Sequence, residues 1–242
     1  MRIAMSIKNN PEQAVVIDER LRHIAFIMDG NGRWAKKRGL PRNLGHREGV
    51  KVFDTLINYC ASIGIGAVTV YAFSTENWKR PEQEIEGLMN LVNIYLDRFT
   101  KESEKYQTEL HFIGDMSAFP ESMQEKIKRV EQLSLGKPCK LNIALNYGGR
   151  DEIVHACNAL ISQGKSEITA QDIASHLYTA HCPDPDLIVR TGGEMRLSNF
   201  LLWQAAYAEF YATDKLWPDM TTADVDDAIR AFYNRSRRFG GI

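Results

Sequence analysis

The feature that most constrains this chain is an alternation that runs almost end to end, in which short apolar runs take turns with stretches of helical periodicity. His23-Ile24-Ala25-Phe26-Ile27-Met28 has the length and apolar character of a buried strand. Val50, Phe53, Leu56, Ile57 and Cys60 then recur at helical spacing, and Gly64 stands where that helix should stop. Residues 67–73 are β-branched and aromatic, a second strand. Pro81 suits a helix first turn, Glu82 and Glu84 complement its dipole, and Ile85, Leu88, Met89, Val92, Leu96 and Phe99 form its apolar stripe. Leu110 to Ile113, Leu141 to Leu145 and Asp186 to Arg190 read as three more strands. Between them lie helices marked by Met123, Ile127 and Val130 after Pro120, and by Ile153, Cys157, Leu160 and Ile161. Thr169 with Asp172 resembles a capping box, Phe200 to Tyr211 reads as helix then strand, and Thr222 is placed to cap a last helix built on Val225, Ile229 and Phe232. Such alternation predicts an α/β fold with a mostly parallel central sheet covered by helices on both faces. With no repeat or linker, the simplest division is one domain over residues 1–242, residues 1–20 forming an N-terminal extension.

In sheets of this kind ligands bind beyond the carboxyl ends of the strands. Polar, glycine-rich chemistry should therefore gather just after each strand, and it does. The first strand is followed by Asp29-Gly30-Asn31-Gly32-Arg33-Trp34 and the second by residues 74–81, Ser-Thr-Glu-Asn-Trp-Lys-Arg-Pro. The fourth runs into Asn146-Tyr147-Gly148-Gly149-Arg150, and the fifth into residues 190–198, which hold Arg190, Gly192, Gly193, Arg196 and Ser198. Glycines admit backbone amides to a phosphate and arginines supply planar, bidentate donors. One such turn is commonly only a turn; four at one sheet edge, each with an arginine, point to a phosphate site. Thirty basic against thirty-one acidic residues give no global field, so an anion site must be local, and nucleic acid is not expected as a partner.

Asp29 decides what kind of phosphate site. Residues 30–35 superficially fit the dinucleotide fingerprint, but Pro41 follows too soon for the long helix that motif opens. A carboxylate directly before the glycines would also repel a bare pyrophosphate. A magnesium ion bridging carboxylate and phosphate oxygens removes that repulsion. A strand ending in aspartate also fits phosphohydrolases with a D-x-D nucleophile, although the second acid is here Asn31. The four cysteines, Cys60, Cys139, Cys157 and Cys182, show no metal-finger spacing and suit a reducing cytoplasm. No signal-peptide pattern and no run of about 18 apolar residues is present, so a cytoplasmic protein is expected.

Residues 27–35 resemble the first signature of the cis-prenyltransferases, and residues 71–80 the second. Residues 146–150, the stretch from Asp186 through Arg190 and Arg196 to Glu209 and Tyr211, Leu216-Trp217-Pro218 and residues 238–241 match as well. The likeness runs from about His23 to Ile242, and within the family it is nearest to bacterial undecaprenyl diphosphate synthases. The aspartate-rich helix pairs of trans-type enzymes are missing from the sequence.

The resemblance implies sequential 1'-4 cis condensation of isopentenyl diphosphate onto an allylic diphosphate, farnesyl diphosphate being the expected primer. The product would be a long-chain polyprenyl diphosphate, undecaprenyl diphosphate for a cell-wall lipid carrier. It implies that Asp29 holds magnesium and assists departure of the allylic diphosphate, with Gly30, Asn31, Gly32 and Arg33 as its cradle, Arg42 and His46 nearby and Trp34 packing the chain. Ser74, Thr75, Glu76, Trp78 and Arg80 would line the same site, and Asn77 would accept or position the proton. Arg190, Arg196, Leu197 and Ser198 would take the isopentenyl diphosphate, and Glu209 a second contact to the metal. It also implies a product tunnel along the helix bearing Leu88 to Phe99, with Leu145 a candidate for its wall. A homodimer is expected, its tail near Gly240 reaching the partner, with peripheral membrane contact for product release. Met195 stands where some members carry histidine, and a thioether is a poor ligand for a hard ion. A phosphohydrolase and a non-catalytic partner subunit remain the alternatives.

Overall fold

The computed structural model describes residues 15–235; Arg237, Arg238, Gly240 and most of the expected N-terminal extension lie outside them. The predicted single α/β domain is present. Its order is β1 (His23–Ile27), α1 (Asn31–Lys37), α2 (Arg42–Ser62), β2 (Ala67–Ser74), α3 (Glu82–Glu102), β3 (Thr108–Ile113), α4 (Glu121–Ser134), β4 (Cys139–Tyr147), α5 (Gly149–Ser162), α6 (Ala170–His176), β5 (Leu187–Arg190), β6 (Glu209–Ala212) and α7 (Thr222–Tyr233). The strands form one sheet in the order β3-β4-β2-β1-β5-β6, and every neighbouring pair is parallel.

Strand alternation divides the core. Ile24, Phe26, Val68, Val70, Leu141 and Val189 face a large cluster with Phe53 and Leu56 of α2, Leu96 and Phe99 of α3, Ile127 of α4 and Ile229 of α7. Ala25, Ile27, Ala144 and Ile188 face a smaller one closed by Tyr147, Phe200 and Leu201. Because both faces are covered, the central strands are apolar throughout rather than alternating, and β1 is buried at all five positions.

Pro41, Pro81 and Pro120 each stand directly before a helix, at φ values of -57°, -53° and -54°. There the missing N–H costs no hydrogen bond. Thr169 and Asp172 form the expected capping box. The last helix differs by one residue: its cap is Thr221, which forms a box with Asp224, and Thr222 is already helical. The apolar segment after residue 200 is a 3-10 turn over Gln204–Tyr207 followed by β6, not a full helix.

The strand order fixes where a ligand can sit. After β1 the chain builds β2, β3 and β4 on one side, and later β5 and β6 on the other. The carboxyl ends of β1, β2 and β5 therefore flank the place where the strand order reverses, and Asp29, Ser74 and Arg190 occupy those ends.

Candidate active site

Asp29 follows β1 by two residues, and its carboxylate lies between two guanidinium groups. Arg33 is 3.2 Å from Oδ1 and Arg190 is 3.1 Å from Oδ2. Its backbone carbonyl accepts from the Thr191 hydroxyl at 2.6 Å and from the Trp217 amide at 3.0 Å, which fixes the turn to the core. Gly30 then adopts φ 108°, a conformation side chains rarely take, and a Cβ there would lie 2.8 Å from Leu216. Gly192, at φ 86°, leaves room for Arg33, which donates to its carbonyl at 2.7 Å.

Arg190 is the buried centre of the second half. Its side chain is 4% exposed, donates to Ser198 Oγ at 2.8 Å and also reaches the Arg196 carbonyl. The Thr75–Lys79 3-10 turn supplies the third wall: Asn77 Oδ1 accepts from the Ser74 amide at 3.2 Å, and Glu76 accepts from Asn199 at 3.0 Å. Burial alone would push the Glu76 carboxyl up; hydrogen bonds from its own amide and from Asn199 outweigh it and hold the group below the usual range.

These groups line a polar cavity of about 540 Å³ together with Asp29, Asn31, His46, Ser74 and Arg80. Beside it lies an apolar cavity of about 120 Å³ between the sheet and α2 and α3, lined by Phe53, Val70, Leu88, Met89, Val92, Tyr95 and Ile143 among others. Met28, Asn31, His46, Ala72 and Leu88 line both, so the two share one wall. Six buried side-chain polar atoms among the described residues lack a hydrogen-bond partner. Two of them, Asn31 Oδ1 and Arg190 Nε, belong to residues that line the polar cavity.

One residue of the cavity rim escaped the sequence reading. Glu84, its side chain 9% exposed, gathers Arg42 at 3.1 Å, Arg80 at 3.2 Å and His46 at 3.5 Å. Its sequence position marks it as a dipole complement four residues after Arg80, but nothing local signals Arg42 and His46 of α2 as further partners. Burial, reinforced by the Arg80 charge, holds the His46 imidazole below its usual value.

Several expected site residues point elsewhere. Arg196 is exposed and pairs with Glu194, contributing only its backbone to Arg190. Leu197 packs on the smaller core cluster. Thr75 donates to Asp151 at 3.2 Å on the far side of its turn. Trp34 donates to Asp219 at 2.7 Å under the Arg38 guanidinium, away from both cavities. Trp78 packs edge-on to Phe73 and donates to Asn146 at 2.8 Å. Gly32 faces the Arg42 side chain. Arg150 is exposed, so the cluster after β4 brings no arginine to the pocket. Along α3, Leu88, Met89 and Val92 line the apolar cavity, whereas Leu96, Phe99 and also Leu145 are core.

Within one chain the sheet register does not bring Glu209 to Asp29. Glu209 lies level with Leu187, itself level with Ile24, whereas Asp29 is five positions further along. At about 3.3 Å per residue that separation is roughly 16 Å along the strands of one chain. Glu209 pairs instead with Arg235 at 2.7 Å. No group of three or more acidic, histidine or cysteine side chains fit to hold a metal exists among the described residues. Asp29 alone suits an ion of the magnesium kind, which binds through one or two carboxylates with substrate phosphates and water completing its shell. Met195 is 82% exposed and has no part in it.

Both the sequence and the fold are shared with known proteins. Residues 27–240 match the prenyltransferase family profile described as putative undecaprenyl diphosphate synthase. An isoprenyl transferase of Fusobacterium nucleatum is 49% identical over 91% of this chain and 96% of its own length. One of Neisseria meningitidis serogroup B is 47% identical over 90% and 89%. Among solved structures, lavandulyl diphosphate synthase of Lavandula x intermedia, in complex with dimethylallyl diphosphate, is 37% identical and superposes with a TM-score of 0.87 over 92% of this chain and all of that one. A probable undecaprenyl diphosphate synthase of Campylobacter jejuni gives 36% and 0.79 over 93% and all of its chain. The profile match over most of the chain, with relatives near 50% identity along almost their whole length, shows that this chain belongs to the cis-prenyltransferase family.

Proposed function

We propose that the protein condenses isopentenyl diphosphate with an allylic diphosphate in cis geometry, repeatedly, to give a long-chain polyprenyl diphosphate. The observation that carries this reading is the shared wall between the polar and apolar cavities. A prenyl diphosphate has the same two parts, a charged head and a hydrocarbon tail. Farnesyl diphosphate is the primer and undecaprenyl diphosphate, a cell-wall lipid carrier precursor, the product we assign. The bound dimethylallyl diphosphate of the lavender enzyme supports an allylic diphosphate as substrate.

In this mechanism Arg33 and the amides after Gly30 hold the allylic diphosphate, with Arg80 and Arg42 at the rim. Arg190 and Ser198 hold the isopentenyl diphosphate. The allylic C1–O bond breaks, C1 bonds to C4 of isopentenyl diphosphate, and a proton leaves C2. Two substrates fixed face to face need little further chemistry. Positive charge aimed at the leaving diphosphate lowers the barrier to ionisation. An amide is a weak base, and Asn77 Oδ1 already accepts from the Ser74 amide. We therefore assign the proton to the departing diphosphate, with Asn77 as a positioning group.

Asp29 would hold a magnesium ion, which when bound would supply charge neutralisation on that diphosphate. We also assign a homodimer, a cytoplasmic location and peripheral contact with a membrane at product release; among the described residues no helix is long and apolar enough to cross one. Incorporation of labelled isopentenyl diphosphate into solvent-extractable lipid should require an allylic diphosphate and magnesium together. Incorporation that survives chelation by EDTA would overturn the metal assignment, and incorporation without a primer would overturn the reaction.

A further inference from the structure

The segment after β5 passes through the left-handed region at three non-glycine residues within four positions: Ser198 at φ 51°, Asn199 at φ 65° and Leu201 at φ 44°. Such backbone is unfavourable for side chains other than Asn or Asp, and it persists where contacts over-determine it. Asn199 supplies three of those contacts. Its carbonyl accepts from the Gly149 amide at 2.6 Å, and its Oδ1 from the Arg150 amide at 2.9 Å. Its Nδ2 donates to Glu76 Oε1 at 3.0 Å.

Gly148 shows how tightly the amide is seated. Its φ of -149° is one any residue adopts, so freedom of rotation is not what requires glycine. A Cβ there would lie 2.7 Å from Asn199 Nδ2, 2.5 Å from Asp151 and 2.9 Å from Thr75. Gly148, just before α5, therefore serves the close approach of Asn199 and of the Thr75–Lys79 turn, and Gly149, the first residue of α5, that of the Asn199 carbonyl. The residue before Asn199 is Ser198, which accepts from Arg190, and the residue after Glu76 is Asn77. One side chain thus joins the first turn of α5 to both halves of the pocket.

We infer that Asn199 is a positioning residue: its amide fixes the Thr75–Lys79 turn against the Arg190–Ser198 pair, and so sets how the two diphosphates face each other. The inference rests on the condensation reading. Asparagine meets every requirement at once, since it tolerates left-handed backbone and carries one acceptor and one donor. Aspartate would keep the first two and set a second carboxylate against Glu76.

The test compares the parent with Asn199→Asp and Gly148→Ala. It measures single-turnover condensation of farnesyl and isopentenyl diphosphates, the Kd of each diphosphate, the melting temperature, and hydrogen exchange over residues 75–80. In Asn199→Asp the condensation rate should fall about tenfold or more, as expected for loss of a hydrogen bond to a charged group, while each Kd stays within about threefold. Exchange over residues 75–80 should accelerate severalfold while β2 is unchanged and the melting temperature moves by no more than a few degrees. Gly148→Ala should shift both readouts in the same direction. A condensation rate within about twofold of the parent in Asn199→Asp, or a loss confined to one Kd, would overturn the inference. If the parent makes no lipid product the condensation reading itself fails, and the exchange data alone decide whether the amide holds the turn; unchanged exchange in both variants refutes it.

Discussion

At the scale of single residues, the site depends on one carboxylate between two guanidinium groups. Asp29→Ala should lower turnover about a hundredfold or more, the size expected when a group serving the leaving diphosphate is removed, and leave isopentenyl diphosphate binding largely intact. Steady-state rates and calorimetric binding separate the two effects, and an unchanged rate would remove Asp29 from the mechanism. Arg190→Ala should raise the KM for isopentenyl diphosphate about tenfold or more, since it deletes charged hydrogen bonds, with a smaller effect on the allylic substrate. An unchanged KM would place that substrate elsewhere. A residue outside the site contributes to acid stability. His23, fully buried, gives one ring nitrogen to Thr69 at 2.7 Å and the other to the Pro183 carbonyl at 2.6 Å. Burial lowers its pKa to about 4. The unfolded chain takes up a proton near pH 6.5 that the folded chain refuses, so this contribution is complete above that pH and is lost as pH falls toward 4. At the acid end the loss is about 3 kcal/mol. Thermal unfolding at pH 7.5 and 5 should show the decline, and His23→Gln should flatten it.

At the scale of elements, α1 and α2 meet without room for side chains. A Cβ on Gly45 would lie 2.0 Å from the Asn31 carbonyl, and one on Gly49 2.3 Å from Asn31 Oδ1. Alanine is the better helix former by about 1 kcal/mol, yet Gly45→Ala should destabilise by roughly 1–3 kcal/mol, because overpacking outweighs propensity here. Denaturant unfolding measures it, and a neutral result would contradict the described contact. This packing also explains which parts of the site were legible in the sequence. Asp29 lies in the turn after β1 and Asn31 and Arg33 in the first turn of α1, so their placement follows from the strand end, and the glycine pattern marks it. Arg196, Thr75 and Trp34 lie in loops or on helix flanks, where a residue type gives no direction, and their side chains face Glu194, Asp151 and Asp219. Arg80 is a local partner of Glu84, four residues before it, but Arg42 and His46 come from α2 and reach Glu84 only when α2 packs on α3, which no local pattern signals.

For the whole molecule, alternation of strand and helix was enough to predict a parallel sheet and the end of it that carries the chemistry. The strand order β3-β4-β2-β1-β5-β6 was not legible, and it is what puts Asp29 beside Arg190. Register is a property of pairing between segments, so a list of acidic residues cannot reveal which share a site. The central claim is that the polar cavity holds diphosphate heads while the adjoining apolar cavity takes the growing chain. Mass spectrometry of the lipid extract after incubation with farnesyl diphosphate, isopentenyl diphosphate and magnesium tests it most directly. The account predicts polyprenyl diphosphates differing by whole isoprene units and ending at one dominant long chain. Release of inorganic phosphate with no lipid longer than the primer would contradict it.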